Sequence, residues 1–289
     1  MPSSSPTPDA TSTAPTADET PFHLTSGDRP VYAVFHAPRR ARPGAAGVVV
    51  CSSLGVEQLT CYRNEVLTAR ALAARGIPVL RYHPRGHGDS GGDFADVTLD
   101  SLTADARAAA AELRGRGAPR IAWLGVRFGA LAAAGALAAE GAAGLALWEP
   151  VQRPLEYFRG WLRGLLFSQV SHGRRPDTTA DALLEKVMRD GQVDVHGYYL
   201  HRALLAGARD VDLATLLGAW SGPVLLAQIQ ARRGLAPAHT AFADALRGRN
   251  AAVTTTLVAE EQGWHFLQNP AWESSALIDA TVEWFDAVA

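Results

Sequence analysis

Beyond residue 21, short apolar or β-branched runs alternate along the chain with longer Ala-, Leu- and Arg-rich stretches whose apolar residues recur at helical spacing. The runs at 22–24, 30–36, 47–51, 77–82, 120–124, 144–148, 223–229 and 253–258 are predicted strands. The stretches at 63–74, 99–114, 128–139, 238–248 and 274–288 are predicted helices. Segment 25–29, with Ser26, Gly27 and Asp28, has turn chemistry and predicts an antiparallel hairpin of the first two strands. From the third strand onward the alternation predicts a mostly parallel sheet covered by helices. The expected fold class is therefore α/β, with an eight-stranded, mostly parallel sheet and an antiparallel N-terminal hairpin.

One interval breaks the rhythm. Between Pro150 and Gly222 lie about seventy residues without a clear strand, far more than the usual 2–6 residue connection. Leu155, Phe158, Leu162, Leu165 and Leu166 fall at helical spacing there. Residues 151–217 are expected to form a helical lid inserted after the sixth strand; an ordinary packed helical layer is the alternative. At the other end, residues 1–20 hold no large apolar side chain beyond Met1 and are rich in Ser, Thr, Pro and Ala. Such a segment buries too little to offset its ordering entropy, so a disordered tail is expected before a single domain at 21–289; an adaptor-binding arm is the alternative.

Composition narrows the partners. The net charge of -2 gives no electrostatic reason to expect nucleic acid or an anionic membrane. Cys51 and Cys61 are too few for a disulfide framework, which fits a reduced, cytoplasmic setting. No apolar run approaches the roughly 18 residues of a membrane span, and the N-terminus lacks the basic-then-apolar pattern of a secretory signal. His83 and His87 have no metal-ligand spacing, and 86–92 lacks the strand–turn–helix context of a nucleotide loop. No metal or cofactor is expected; a small-molecule partner is, and the oligomeric state is not legible.

Three motifs carry candidate chemistry. His83-Pro84-Arg85-Gly86-His87-Gly88-Asp89-Ser90 is a Gly-rich segment after the fourth strand. Gly125-Val126-Arg127-Phe128-Gly129, between a strand and an Ala-rich helix, has the G-x-S-x-G frame of a nucleophile elbow. Gly263-Trp264-His265-Phe266 follows the last strand. In this order the elements and motifs resemble the α/β-hydrolase superfamily. More narrowly, the chain resembles the exosortase A system-associated hydrolases, a branch related to the serine aminopeptidase group. The likeness rests on Gly125–Ala130, on Leu147-Trp148-Glu149-Pro150-Val151 leading into 158–166, on 195–200, on Gly55–Arg63 with Glu57, and on 88–94. It spans nearly the whole chain after residue 25. The resemblance implies an α/β-hydrolase fold with a lid after the sixth strand, a catalytic histidine at His265, and a bacterial biosynthetic or exopolysaccharide-associated role.

The departures from that pattern bear most on function. At the nucleophile position stands Arg127, whose guanidinium stays protonated and offers no lone pair for attack, so no acyl-enzyme can form there. After the seventh strand, Gln228-Ile229-Gln230-Ala231-Arg232-Arg233 offers amides and cations in place of an acid. Glu149, ending the sixth strand, is the candidate acid that orients His265; a salt bridge to Arg153 is the competing reading. A cation at a helix start is disfavoured by the helix dipole and needs a negative partner. Glu57 and Glu149 are the internal candidates, and a bound carboxylate or phosphate is the external one.

Two roles for Arg127 stay open: an anion or oxyanion holder, or half of an Arg127–Glu57 pair plugging a dead pocket. Cys51, Ser52 and Ser53 end the third strand, where a displaced nucleophile is conceivable, although Cys51 also reads as a core thiol. The expected substrate pocket is lined by Glu57, Ser53, Leu54, Phe128, Tyr198 and Trp264. The favoured reading is a non-serine enzyme on a small acidic or acyl substrate, carrier-linked ones included. Arg127 would hold the substrate and His265 move a proton, in lyase, cyclisation, acyl-transfer or water-activating chemistry. The alternative is a catalytically inactive binding or scaffold protein.

Overall fold

The computed structural model describes residues 18–173, 175–231, 233–264 and 272–289. Its strands are β1 (Asp18–Ser26), β2 (Arg29–Ala37), β3 (Gly47–Cys51), β4 (Val79–Tyr82), β5 (Ile121–Val126), β6 (Leu145–Trp148), β7 (Gln192–Val195), β8 (Tyr198–His201), β9 (Pro223–Ile229) and β10 (Ala252–Val258). Eight of them form one sheet in the order β1-β2-β4-β3-β5-β6-β9-β10, while β7 and β8 make a separate ribbon. β1 pairs β2, and β2 pairs β4, antiparallel; every other neighbour in the large sheet is parallel.

The helices are α1 (Val56–Ala74), α2 (Leu99–Gly115), α3 (Gly129–Glu140), α4 (Pro154–Ser171), α5 (Ala180–Asp190), α6 (Arg202–Ala208), α7 (Leu213–Leu216), α8 (Pro237–Arg247) and α9 (Ser275–Val288). The two-residue period of the strands sorts their side chains between two cores. Val48, Val50, Ala122, Leu124 and Ala146 pack with α1 and α9. Val49, Trp123, Leu145 and Leu147 pack with α2, α3 and α8. A strand sealed on both faces reads as an unbroken apolar run, which is why β3 and β5 were legible without alternation.

Three boundaries differ from expectation, each for a physical reason. β1 starts at Asp18, inside the segment expected to be tail: Asp18, Glu19 and Thr20 face Ala37, His36 and Phe35 across the ladder. Backbone pairing holds them there, and Glu19 accepts hydrogen bonds from Arg70. α1 starts at Val56, not 63, because its buried side at that end is Glu57, Gln58, Thr60 and Asn64. Periodicity in apolar residues is blind to a polar buried face. Finally, the interval expected to hold no strand contains the β7–β8 ribbon. Its turn, His196-Gly197, has φ of 55° and 88°, the paired left-handed geometry of a two-residue hairpin. Among the described residues the insertion also carries α4 to α7, with Phe158 and Leu162 of α4 seated in the main core.

Candidate functional site

The site lies at the carboxyl ends of the parallel strands, where open α/β sheets place their ligands. Val126 of β5 is in register with Trp148 of β6. The next residues, Arg127 and Glu149, both have left-handed backbone, with φ of 51° and 41°. Such conformations cost roughly 1–3 kcal/mol each for residues with a side chain. Main-chain bonds hold them: Arg127 N–H donates to the Trp148 carbonyl and Glu149 N–H to the Ala227 carbonyl, both at 2.9 Å. The flanking glycines are needed for close approach. A Cβ on Gly129 would collide with the Cys51 carbonyl, and one on Gly125 with Ala130 Cα. The result is a tight strand–turn–helix elbow that points the Arg127 side chain away from the sheet edge.

That side chain is already neutralised. Arg127 Nη2 donates to Glu57 Oε1 at 3.0 Å and Nε to Oε2 at 3.3 Å, while Nη1 donates to the Glu149 carbonyl at 2.9 Å. Glu57 Oε2 also accepts from Ser53 Oγ at 2.8 Å and from Tyr157 Oη at 2.9 Å. Burial alone would lower the guanidinium pKa, but the Glu57 charge and hydrogen bonds outweigh it and raise it. Trp264 and Tyr157 flank the cation, with ring centres 5.0 and 5.9 Å from Cζ. Only 14% of the Arg127 side chain and 6% of Glu57 are exposed. The expectation that Arg127 faces an external anion is therefore corrected. A buried cation at a helix start takes the nearest carboxylate, and Glu57 sits in the first turn of α1, where the dipole favours it.

Glu149 is also committed. Its Oε1 accepts from Ile229 N–H at 2.8 Å and from Gln262 Nε2 at 3.2 Å, and Oε2 lies 3.4 Å from His239 Nε2. Burial raises its pKa. Burial, followed by the charge of Arg127, pushes His239 down to about 4. The competing salt bridge to Arg153 is not formed; Arg153 reaches Asp212 instead, at 4.0 Å on the surface. His265 lies outside the described residues.

Above the ion pair opens a cavity of about 780 Å³ between the start of α1, the length of α4 and the β7–β8 ribbon. Of the residues expected to line it, Glu57, Arg127, Tyr198 and Trp264 do. Ser53, Leu54 and Phe128 do not; they are buried beneath the floor, and Glu149 lies off the cavity. The same packing disposes of a displaced nucleophile. Ser52 Oγ donates to Glu65 at 2.6 Å in the interior, Ser53 is tied to Glu57, and burial pushes the Cys51 thiol up to about 12. Phe128 N–H, the donor an elbow contributes to an oxyanion hole, faces Ser53 Oγ at 3.4 Å.

His87 has a structural role. Its Nε2 accepts from Gly55 N–H at 3.0 Å, and its ring stacks on Tyr198. Among the described residues no cluster of His, Cys, Asp and Glu could hold a metal ion, and no helix is long and apolar enough to cross a membrane.

Tyr157, Trp161 and His239 are among the residues of the site not singled out from the sequence. Tyr157 and Trp161 lie on α4, offset from the apolar stripe that faces the core, and an aromatic pair at i, i+4 beside that stripe was the available signal. His239 is a lone histidine on α8, and nothing in its local pattern marks it.

No family model matches the chain, and no curated protein matches it in sequence. Solved structures do. Est1E from Butyrivibrio proteoclasticus with ferulic acid bound is similar with a TM-score of 0.65 at 17% identity, covering 92% of this chain and 98% of that one. The esterase Pf2001 of Pyrococcus furiosus is similar with a TM-score of 0.61 at 17% identity, over 98% and 97% of the two chains. Proline iminopeptidase of Mycobacterium smegmatis follows at 0.59 and 16%, over 93% and 98%. At these identities the likeness shows the fold. The chain has the α/β-hydrolase fold, with an eight-stranded sheet and an antiparallel N-terminal hairpin.

Proposed function

We propose that this chain is a ligand-binding protein on the α/β-hydrolase fold that forms no acyl-enzyme. The Arg127–Glu57 pair carries this reading: it fills the elbow with a protonated, internally neutralised group, while Ser52, Ser53, Cys51 and Cys61 are buried off the cavity and the lining hydroxyls of Ser168 and Ser171 donate to carbonyls of their own helix. The cavity above it has the dimensions of a small-molecule site, and aromatic side chains line much of it. Est1E holds ferulic acid, an aromatic acid; the aromatic walls here make aromatic and acyl compounds, carrier-linked ones included, the class to screen. In this reading residues 151–217 serve as a lid and the protein works in a bacterial biosynthetic setting in the cytoplasm; the resemblance to exosortase A system-associated hydrolases and the two unpaired cysteines are what support that setting.

A fluorophosphonate probe tests the reading directly. No labelling is expected; stoichiometric adduct at Ser52 or Ser53 sinks it. Calorimetry with small acids and their amides adds a second measurement. Because Glu57 matches the Arg127 charge, acids are expected to bind no tighter than amides of the same shape.

One observation favours an enzyme instead. Trp264, which precedes His265 in the chain, lies against the Arg127 guanidinium at the cavity floor. A non-serine enzyme using His265 as acid or base is supported if any substrate turns over and His265→Gln abolishes the turnover while leaving binding intact.

A further inference from the structure

Helix α4 borders the cavity along nearly its whole length. Tyr157, Gly160, Trp161, Gly164, Phe167 and Ser171 all line it, a stripe at i, i+3, i+4, i+7 spacing that spans about 21 Å of helix. The end at Tyr157 adjoins the ion-paired floor. The far end is open to solvent, and Phe167 there is 72% exposed. Gly160 and Gly164 stand between these two ends.

Both glycines are in the interior of an α-helix, where glycine is among the poorest formers. Glycine is usually kept in such places so that another backbone can approach. Here nothing lies within 4 Å of where a Cβ would sit at either residue, so close packing does not explain them. What their missing side chains provide is free passage along the cavity wall. A compact ligand at either end would not need that passage.

We infer that the cavity takes an unbranched, chain-like apolar ligand with a neutral polar end group, laid along α4 past Gly164 and Gly160 with its polar end on the Arg127–Glu57 floor. This rests on the binding reading above and names its ligand class. A neutral end group fits because the charge at the floor is already balanced. Three of the five guanidinium donors are engaged among the described residues, and the remaining N–H groups suit a carbonyl oxygen. The chain would lie against Trp161, Val195 and Phe167.

The test uses the full chain and the neutral dye N-phenyl-1-naphthylamine, displaced by a series of linear amides from butanamide to hexadecanamide. Affinity is expected to rise about three- to fourfold per methylene until the groove is filled, then level off. Gly160→Leu and Gly164→Leu should each weaken the long amides tenfold or more while sparing butanamide. Gly207→Leu, on α6 and away from the cavity, should change nothing.

Gly160→Ala and Gly164→Ala serve as folding controls. They should keep long-chain binding and raise Tm, since the added Cβ enters open space and improves helix propensity. Carboxylates of the same lengths should bind no better than the amides. Dye binding without dependence on chain length, or well-folded leucine variants that bind long amides normally, overturns the chain inference and leaves the binding reading standing. If the dye and every amide fail to bind, both fall.

Discussion

Helices α1 and α3 both start at the sheet edge that carries the site, yet they bury opposite chemistry. α3 buries Gly129, Leu131, Leu137 and a run of alanines. α1 buries Glu57, Gln58, Thr60, Asn64, Glu65 and Thr68 along its first four turns. α3 is placed by shape: small side chains let it pack close under the elbow. α1 is placed by named partners. Asn64 donates to the Trp272 carbonyl at 3.1 Å and accepts from Ser274 N–H at 2.8 Å, and Thr60 donates to the Trp264 carbonyl at 3.1 Å. α1 thus fastens Trp264 into the cavity floor. A shape-placed helix should degrade gradually when altered, whereas a partner-placed one should fail sharply when one partner is lost.

Glu57→Ala puts that contrast under the greatest strain. It leaves the Arg127 cation buried without its counter-charge, and a loss of about 3–5 kcal/mol in denaturant unfolding is expected. Adding Arg127→Met should recover most of it, because removing both charges spares the desolvation cost. A Glu57→Ala variant within about 1 kcal/mol of the parent would show that the pair is not what seats α1.

Next in size is the pH dependence at Glu65, further along the same buried face. Burial lifts its carboxyl to about 7. The folded chain therefore keeps a proton that the unfolded chain has released above the ordinary 4.5. Relative to Glu65→Gln, the parent should lose up to about 3 kcal/mol as pH rises from about 4.5 to about 7, with no further change above. His36, His87 and His239, each pushed to about 4 by burial, act in the opposite sense, losing stability as pH falls below their ordinary 6.5. They are common to both proteins and cancel in the difference. A pH-independent difference between the two proteins would rule out the buried proton.

Gly129→Ala probes the shape-placed helix. Its Cβ meets backbone, which cannot rotate aside, and a loss of about 1–3 kcal/mol is expected as α3 shifts. A neutral result would mean that α3 is not held by close contact.

The smallest effect should come from the outer side of α1. Arg63 pairs with Glu273 at 2.8 Å, with about half of its side chain exposed. Arg63→Ala should cost less than about 1 kcal/mol, and added salt should shrink that difference further. A larger loss would erase the distinction between buried and surface partners that separates the two faces of α1.

Much of the fold was legible for the same reason that α3 was. The Ala-rich helix after a strand, the two-face apolar strands and the G-x-x-x-G frame are local patterns that report local geometry. The site was legible only in part. Glu57 was named as a partner for Arg127, but whether it would close on the guanidinium or leave it to a ligand depended on geometry that neither residue encodes alone. Ser53, Leu54 and Phe128 were expected in the pocket because they adjoin the loops that form it, yet packing turned them under the floor. The β7–β8 ribbon was missed although His196-Gly197 carries a hairpin-turn signal, because four-residue strands give periodicity little to work on.

By itself the sequence determined the α/β architecture, the glycine-flanked turn at 125–129 and the cationic side chain that stands in it. Each follows from properties that a residue keeps wherever it is: the period of apolar positions, the steric freedom of Gly125 and Gly129, and the fixed protonation of a guanidinium. Only the tertiary structure decided that Glu57, seventy residues from Arg127 in the chain, would neutralise it. The same holds for Glu149, which lies against a lone histidine on α8, and for Gly160 and Gly164, which open onto a cavity rather than a packed neighbour. Those outcomes depend on distances between remote segments, and no pattern local to the chain carries a distance.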